Sequence, residues 1–140
     1  MNRLIAAAAM TLLAFPAFAE SHGPGDAAAG EKGMKKCKSC HTVESADGEK
    51  ILKGGKTGPN LYGVAGRAAG SVEGFNYGDD IVAAGAAGLV WDAENFAAYT
   101  ADPKGFLQSY LDNDGAKSKM TFKLKSGAED IYAYLASVAK

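Results

Sequence analysis

MKKCKSCHTV, residues 34–43, holds both cysteines of the chain and one of its two histidines. Cys37 and Cys40 stand three positions apart, and His41 follows directly. Four chemistries use parts of this pattern: a structural disulfide, a redox-active dithiol, a metal site built on thiolates, and a covalently attached haem. The rest of the chain has to choose between them.

A thioredoxin-like dithiol follows a buried strand in a βαβ unit, whereas the residues before Cys37 are alanine, glycine and lysine in a helical setting. A structural zinc needs four ligands. The chain offers only Cys37, Cys40, His41 and His22, the last in the loose segment ahead of the first helix. A disulfide explains neither His41 nor the glycine-rich stretch that follows. At the end of a helix, Cys37 and Cys40 share a face and His41 lies one turn from Cys37. Two thiols so spaced reach two vinyl groups on one edge of a haem and form thioethers, and the histidine comes beneath the iron as an axial ligand. C-x-x-C-H is the signature of c-type attachment, and the histidine makes it far more specific than C-x-x-C alone.

The N-terminus sets the compartment in which this chemistry is expected. Asn2-Arg3 is a short basic opening, Leu4 to Phe15 is apolar and uncharged, and Ala17-Phe18-Ala19 is a small-x-small cleavage signal. This predicts a secretory signal peptide, residues 1–19, cleaved after Ala19. The apolar run is shorter than the roughly 20 residues of a spanning helix. Residues 20–140 then form a single domain with one modest core. The attachment chemistry of c-type haem belongs outside the cytoplasm, so the periplasm is the expected location.

The formal charge of the whole chain is −1, and removal of Arg3 makes it one unit more negative. Its distribution is uneven. Lysines crowd residues 32–56 and 117–125, while the acids from Glu73 to Asp114 face only Lys104. A nucleic-acid binder is basic overall, and this chain is not.

Several short helices are expected. Asp26 caps a helix from Ala27 to about Ser39, in which Gly30 and Gly33 let another helix approach. Residues 43–74 read as loop, interrupted by Gly54, Gly55, Gly58, Gly63, Gly66 and Gly70. Asp79 to Ala87 holds a helical turn or two. Asp92 caps a helix to about Ala101, and Asp102-Pro103 ends it and starts another to about Leu111. Residues 112–120 are polar loop. Ser126 and Glu129 form a capping box for a final helix with Ile131, Leu135 and Val138 on one stripe. No alternating strand is apparent. So much ordered loop in so small a domain implies that something else fills its centre.

If that is a haem, its sixth ligand follows from elimination. Met1 and Met10 leave with the leader. Met34 lies one turn before Cys37, on the wrong side of the iron, and is expected to pack in the core. Met120, in KSKMTF, remains. Ligation by His41 and Met120 closes both axial positions, raises the potential and favours electron transfer over oxygen chemistry.

With these residues in hand, the chain resembles the class I cytochromes c, and more narrowly the long cytochrome c2 type of bacteria, over nearly all of residues 25–140. The fold this implies is all-α, with short helices and glycine-rich loops wrapped around one covalent haem. CKSCH supplies Cys37, Cys40 and His41. KTGPNLYGVAGRAAG, residues 56–70, matches the loop under the haem, which implies that the Pro59 carbonyl accepts from the second ring nitrogen of His41. The same matching implies that Arg67, Tyr77 and Trp91 help hold the propionates and that Tyr99 hydrogen-bonds near the Met120 sulfur. Two segments, around Asp80–Gly88 and from Pro103 to Met120, are longer than in the short mitochondrial type.

The resemblance implies a non-enzymatic, monomeric electron carrier. Its donor would be a cytochrome bc complex and its acceptor a photosynthetic reaction centre or terminal oxidase. Lys36, Lys38, Lys56, Lys104, Lys119 and Lys123 would form a broken docking ring around the exposed haem edge, with the acids mostly elsewhere. Two other readings stay open on sequence: a haem enzyme or gas sensor with a displaceable sixth ligand, which Met120 argues against, and a thiol oxidoreductase, which free-thiol titration would reveal.

Overall fold

A computed structural model describes residues 25–139. The expected leader, residues 1–19, and His22 lie outside the described residues. Among the described residues, five α-helices and one small hairpin are joined by long loops.

Helix α1, Ala27–Gly33, starts where Asp26 directs: its carboxylate accepts from the amides of Ala28 and Ala29 at 2.8 and 3.2 Å. The helix does not run on to Ser39. It tightens into a 3₁₀ turn, Met34–Lys36, and then into the turn that carries the cysteines. Gly30 and Gly33 make this helix easy to end, and the turn inserts Met34 into the core at 1% exposure.

Helix α5, Ala128–Val138, buries Ile131, Tyr134 and Leu135. The capping box expected of Ser126 and Glu129 does not form. Gly127 occupies the cap position at φ 85°, a left-handed conformation natural to glycine, and this turn leaves Ser126 outside the helix. Glu129 and Asp130 instead place negative charge in the first turn, where the helix dipole favours it.

Helices α1 and α5 cross at close range. Gly30 is buried, and a Cβ there would overlap the Asp130 carbonyl; one at Gly33 would come within 2.9 Å of Ile131 Cγ1. The Asp26 amide donates to Asp130 Oδ1 at 2.8 Å, fixing the start of the crossing. Gly30→Ala gains helix propensity of about 1 kcal/mol. Because the obstructing atoms are backbone, the variant is nevertheless expected to lose about 2 kcal/mol net through overpacking. Denaturant unfolding measures this, and unchanged or increased stability would contradict so close a crossing.

Helix α2, Asp79–Ala86, is followed by α3, Ala93–Ala101, and α4, Pro103–Tyr110. Asp92 caps α3 through the Asn95 amide at 2.7 Å. Asp102 ends α3 and caps α4, accepting from the Gly105 amide at 3.3 Å, with Pro103 in the first turn.

The hairpin is the feature absent from the sequence reading. Strands β1, Val43–Glu44, and β2, Lys50–Leu52, pair antiparallel with an irregularity between Val43 and Glu44. Asp47-Gly48 makes the turn, with Gly48 at φ 82°. An Asp-Gly pair is a hairpin signal, but strands of two and three residues are too short to show alternation.

Candidate haem-binding site

The loops and helices enclose a cavity of about 340 Å³. Cys37, Cys40, His41, Pro59, Arg67, Tyr77, Trp91, Tyr99 and Met120 all line it, although they span the chain from the first helix to the last loop. Leu61, Val64, Phe96, Leu124 and Ile131, all members of the buried core, complete its apolar wall.

One turn presents the cysteine motif. The amides of Cys40 and His41 both donate to the Cys37 carbonyl, at 3.1 and 2.9 Å. Both cysteine side chains are half-buried, and they are not joined as a disulfide. Burial pushes the Cys37 thiol pKa up, with Lys36 opposing. The His41 ring meets the loop that passes beneath it: Nδ1 lies 2.8 Å from the Pro59 carbonyl, so Nδ1–H donates and Nε2 keeps its lone pair. Burial lowers the His41 pKa and the Pro59 carbonyl partly opposes this. Both the tautomer and the neutral state suit metal ligation.

Gly58 makes this contact possible and was not singled out in the sequence. A Cβ there would lie 2.6 Å from His41 Nδ1 and 2.7 Å from Nε2, so only a glycine lets the chain pass under the ring. The signal was the Gly-Pro pair before Asn60. Asn60 ties this loop to the hairpin, accepting from the Glu44 amide at 3.0 Å and donating to its carbonyl at 2.7 Å.

Arg67 and Trp91 are brought to one wall by backbone pairing. The Trp91 amide donates to the Arg67 carbonyl at 2.9 Å, beside the Ala68–Val90 bridge. Arg67 reaches inward, where its two terminal nitrogens donate to the carbonyls of Tyr62 and Asn60 at 2.9 and 3.1 Å. Its Nε is buried with no hydrogen-bond partner. The Tyr77 hydroxyl accepts from the Val72 amide at 3.2 Å. Trp91 and Tyr99 pack with ring centroids 4.9 Å apart.

Tyr99 reaches the segment that carries Met120. Its hydroxyl is 3.2 Å from the Ser118 hydroxyl, two residues ahead of the methionine. Burial pushes its phenol pKa up, and the Ser118 bond partly opposes this.

The expected docking lysines are all exposed, and the structure separates them. Lys36 and Lys119 line the cavity, as does Lys117, which the sequence reading left out of the ring. Lys104 and Lys123 line a second groove that also touches Met120. Lys38 and Lys56 do not line the cavity but are next in sequence to residues that do, Cys37 and Thr57. Two acids touch the lysine-bearing segments: Asp102 pairs with Lys123 at 2.9 Å, and Asp80 accepts from the Lys117 backbone amide at 2.8 Å. The ion pair holds the Asp102 carboxyl below its usual pKa.

The cavity fits a haem in size, in its apolar wall with a few placed polar groups, and in the chemistry of its donors. Paired thiols at one edge meet vinyl groups, His41 offers a free ring nitrogen, and the orphaned Arg67 Nε–H calls for an anionic oxygen such as a propionate. Among the described residues no three His, Cys, Asp or Glu side chains converge as a bare metal ion would require. A site of this kind places the chain among the c-type cytochromes.

Known proteins narrow the class. Cytochrome c-551 of Roseobacter denitrificans is 61% identical over 99% of this chain and 97% of its own length. Cytochrome c2 of Rhodobacter capsulatus is 54% identical over 96% and 95%. The crystal structure of cytochrome c2 from Rhodobacter capsulatus superposes with a TM-score of 0.80 at 56% identity, covering 83% of this chain and 100% of that one. No protein-family model matches the chain. The chain belongs to the cytochrome c2 group of class I c-type cytochromes, electron carriers that hold one covalent haem c.

Proposed function

We propose that this cytochrome is exported to the periplasm with residues 1–19 removed. There, residues 20–140 act as a monomeric one-electron shuttle. Cys37 and Cys40 form the thioethers, and His41 and Met120 are the axial ligands. Its donor is a cytochrome bc complex, and its acceptor a photosynthetic reaction centre or terminal oxidase. The observation that best supports this reading is the meeting of His41, held in one tautomer by Pro59, with Met120 on the walls of one cavity. Among the described residues no helix is long and apolar enough to cross a membrane.

When bound, the haem supplies a reversible one-electron couple at iron. The chain's own residues set its terms. His41 and Met120 leave no open position, which disfavours oxygen and substrate binding. The apolar wall excludes water, and a low dielectric penalises the extra charge of the ferric state. Arg67 offers its Nε–H to a propionate, and Gly58 lets Pro59 hold the His41 tautomer.

Docking is expected to use the lysines at the cavity mouth. A positive face orients the carrier toward an acidic partner and raises productive encounters by roughly 10- to 1000-fold at low salt. The screening length is about 8 Å at physiological ionic strength, so the second-order rate falls as salt is added. Lys36→Glu is expected to slow electron transfer to the partner complex at low salt and to leave the potential nearly unchanged. Glu73→Lys, on an exposed loop, should do neither. Flash kinetics over a salt series measures this. Salt-independent rates, or equal effects at the two sites, would show that the lysines are only solvated charge.

A further inference from the structure

Two segments far apart in the sequence meet in the folded chain. One is α2; the other runs through α4 and the loop to Met120. Asp80 Oδ2 accepts from the Lys117 amide at 2.8 Å across 37 positions of sequence. Lys117 opens the run Lys117-Ser118-Lys119 that leads into Met120, and each residue of the run is fastened elsewhere. Ser118 pairs with the Tyr99 hydroxyl at 3.2 Å, and Lys119 Nζ donates to the Asn76 carbonyl at 3.0 Å.

These bonds matter because packing does little for this stretch. It lines the haem cavity and, at Ser118 and Met120, also a second groove of about 340 Å³ that is lined further by Asp102, Lys104, Gln108 and Lys123. Met120 is half-buried, and the three residues after it are exposed. A stretch bordered by two cavities leans on its hydrogen bonds. Among them, the Asp80 bond has a charged acceptor, which strengthens it. It comes from a short side chain on a helical turn, so little rotamer freedom is lost; Lys119 must immobilise a long exposed one.

We propose that Asp80 is a positioning residue for Met120: by holding the Lys117 amide it keeps the 117–120 segment closed and slows the departure of the thioether from the iron. The inference rests on the His41/Met120 reading above. It gives α2 a role at the ligand loop.

The structure supplies its own control. Asp79 lies beside Asp80 in the first turn of α2, is exposed, and makes no hydrogen bond to the loop among the described residues. Both acids face the same helix dipole, so a general effect of charge on α2 would be shared by the two. The test uses the ferric holoprotein and imidazole, which replaces Met120 at iron by exchanging an Fe–S for an Fe–N bond without redox change. At saturating imidazole, stopped-flow absorbance reads the rate at which Met120 leaves. Asp80→Ala is expected to raise that limit about fivefold, which is about 1 kcal/mol at 1.36 kcal/mol per tenfold. Asp80→Asn keeps an acceptor oxygen for the Lys117 amide and should stay within about twofold of the parent. Asp79→Ala should leave the rate unchanged. Equal acceleration by Asp79→Ala and Asp80→Ala, or none by Asp80→Ala, would overturn the proposal while leaving Met120 as ligand. A parent protein that binds imidazole without a limiting rate, as Met120→Ala should, would overturn both.

Discussion

Replacing Met120 by alanine is expected to open the iron, lower the reduction potential and admit carbon monoxide to the ferrous protein. Met120 is the methionine that lines the cavity; Met34 is 1% exposed in the core between the terminal helices. A thioether is a soft ligand that stabilises ferrous iron, and water in its place does not. Axial ligands tune haem potentials over roughly 0.8 V, and loss of this one should cost on the order of 0.1–0.2 V. The fold should survive, because Met120 is half-buried in a loop and packs at the margin of the core rather than within it. Potentiometry with a carbon monoxide titration checks both effects together. An unchanged potential and spectrum would reduce Met120 to a packing residue.

The second large effect is expected at the attachment turn. Cys37→Ala/Cys40→Ala should yield a polypeptide that gives up all its haem to acidified organic solvent, while the parent gives up none. Each single cysteine variant should retain haem through one thioether and mature poorly. The reason lies in the local geometry: Cys37, Cys40 and His41 share one hydrogen-bonded turn, so the two thiols and the ring are set together against the cavity. His41→Ala should fail to give stable holoprotein, since it removes the ligand that Pro59 holds in register and leaves that carbonyl without its donor. Absorbance of the protein and solvent phases after extraction measures the outcome. Haem that partitions freely from the parent would remove the basis for covalent attachment.

The parts of this structure legible in the sequence were those written in local chemistry. Asp26, Asp92 and Asp102 start helices because a short carboxylate satisfies free amides at a helix end, and that rule needs no tertiary knowledge. The Cys37–His41 turn was legible because few chemistries use two thiols and a histidine at that spacing. Where tertiary contacts decide, local rules fell short. Ser126 and Glu129 satisfy the capping-box pattern, yet Gly127 turns left-handed and takes the cap. The Asp47-Gly48 hairpin is too short to carry a periodic signal and is held by cross-chain bonds to Asn60. Gly58 reads as one loop glycine among many until the His41 ring is placed against it. The pairing of Asp102 with Lys123 and of Asp80 with the Lys117 amide joins residues far apart in sequence, so neither contact could be read from the run of charges along the chain.

On the proposed reading, His41 and Met120 close a covalent haem on both faces, and the chain moves electrons rather than binding gases or substrates. The most direct test of that reading is the visible spectrum of the ferrous protein at neutral pH before and after carbon monoxide. The expected result is a low-spin spectrum that carbon monoxide leaves unchanged. A high-spin spectrum, or prompt conversion to a carbon monoxide adduct, would mean an open or readily displaced sixth position and would contradict the account.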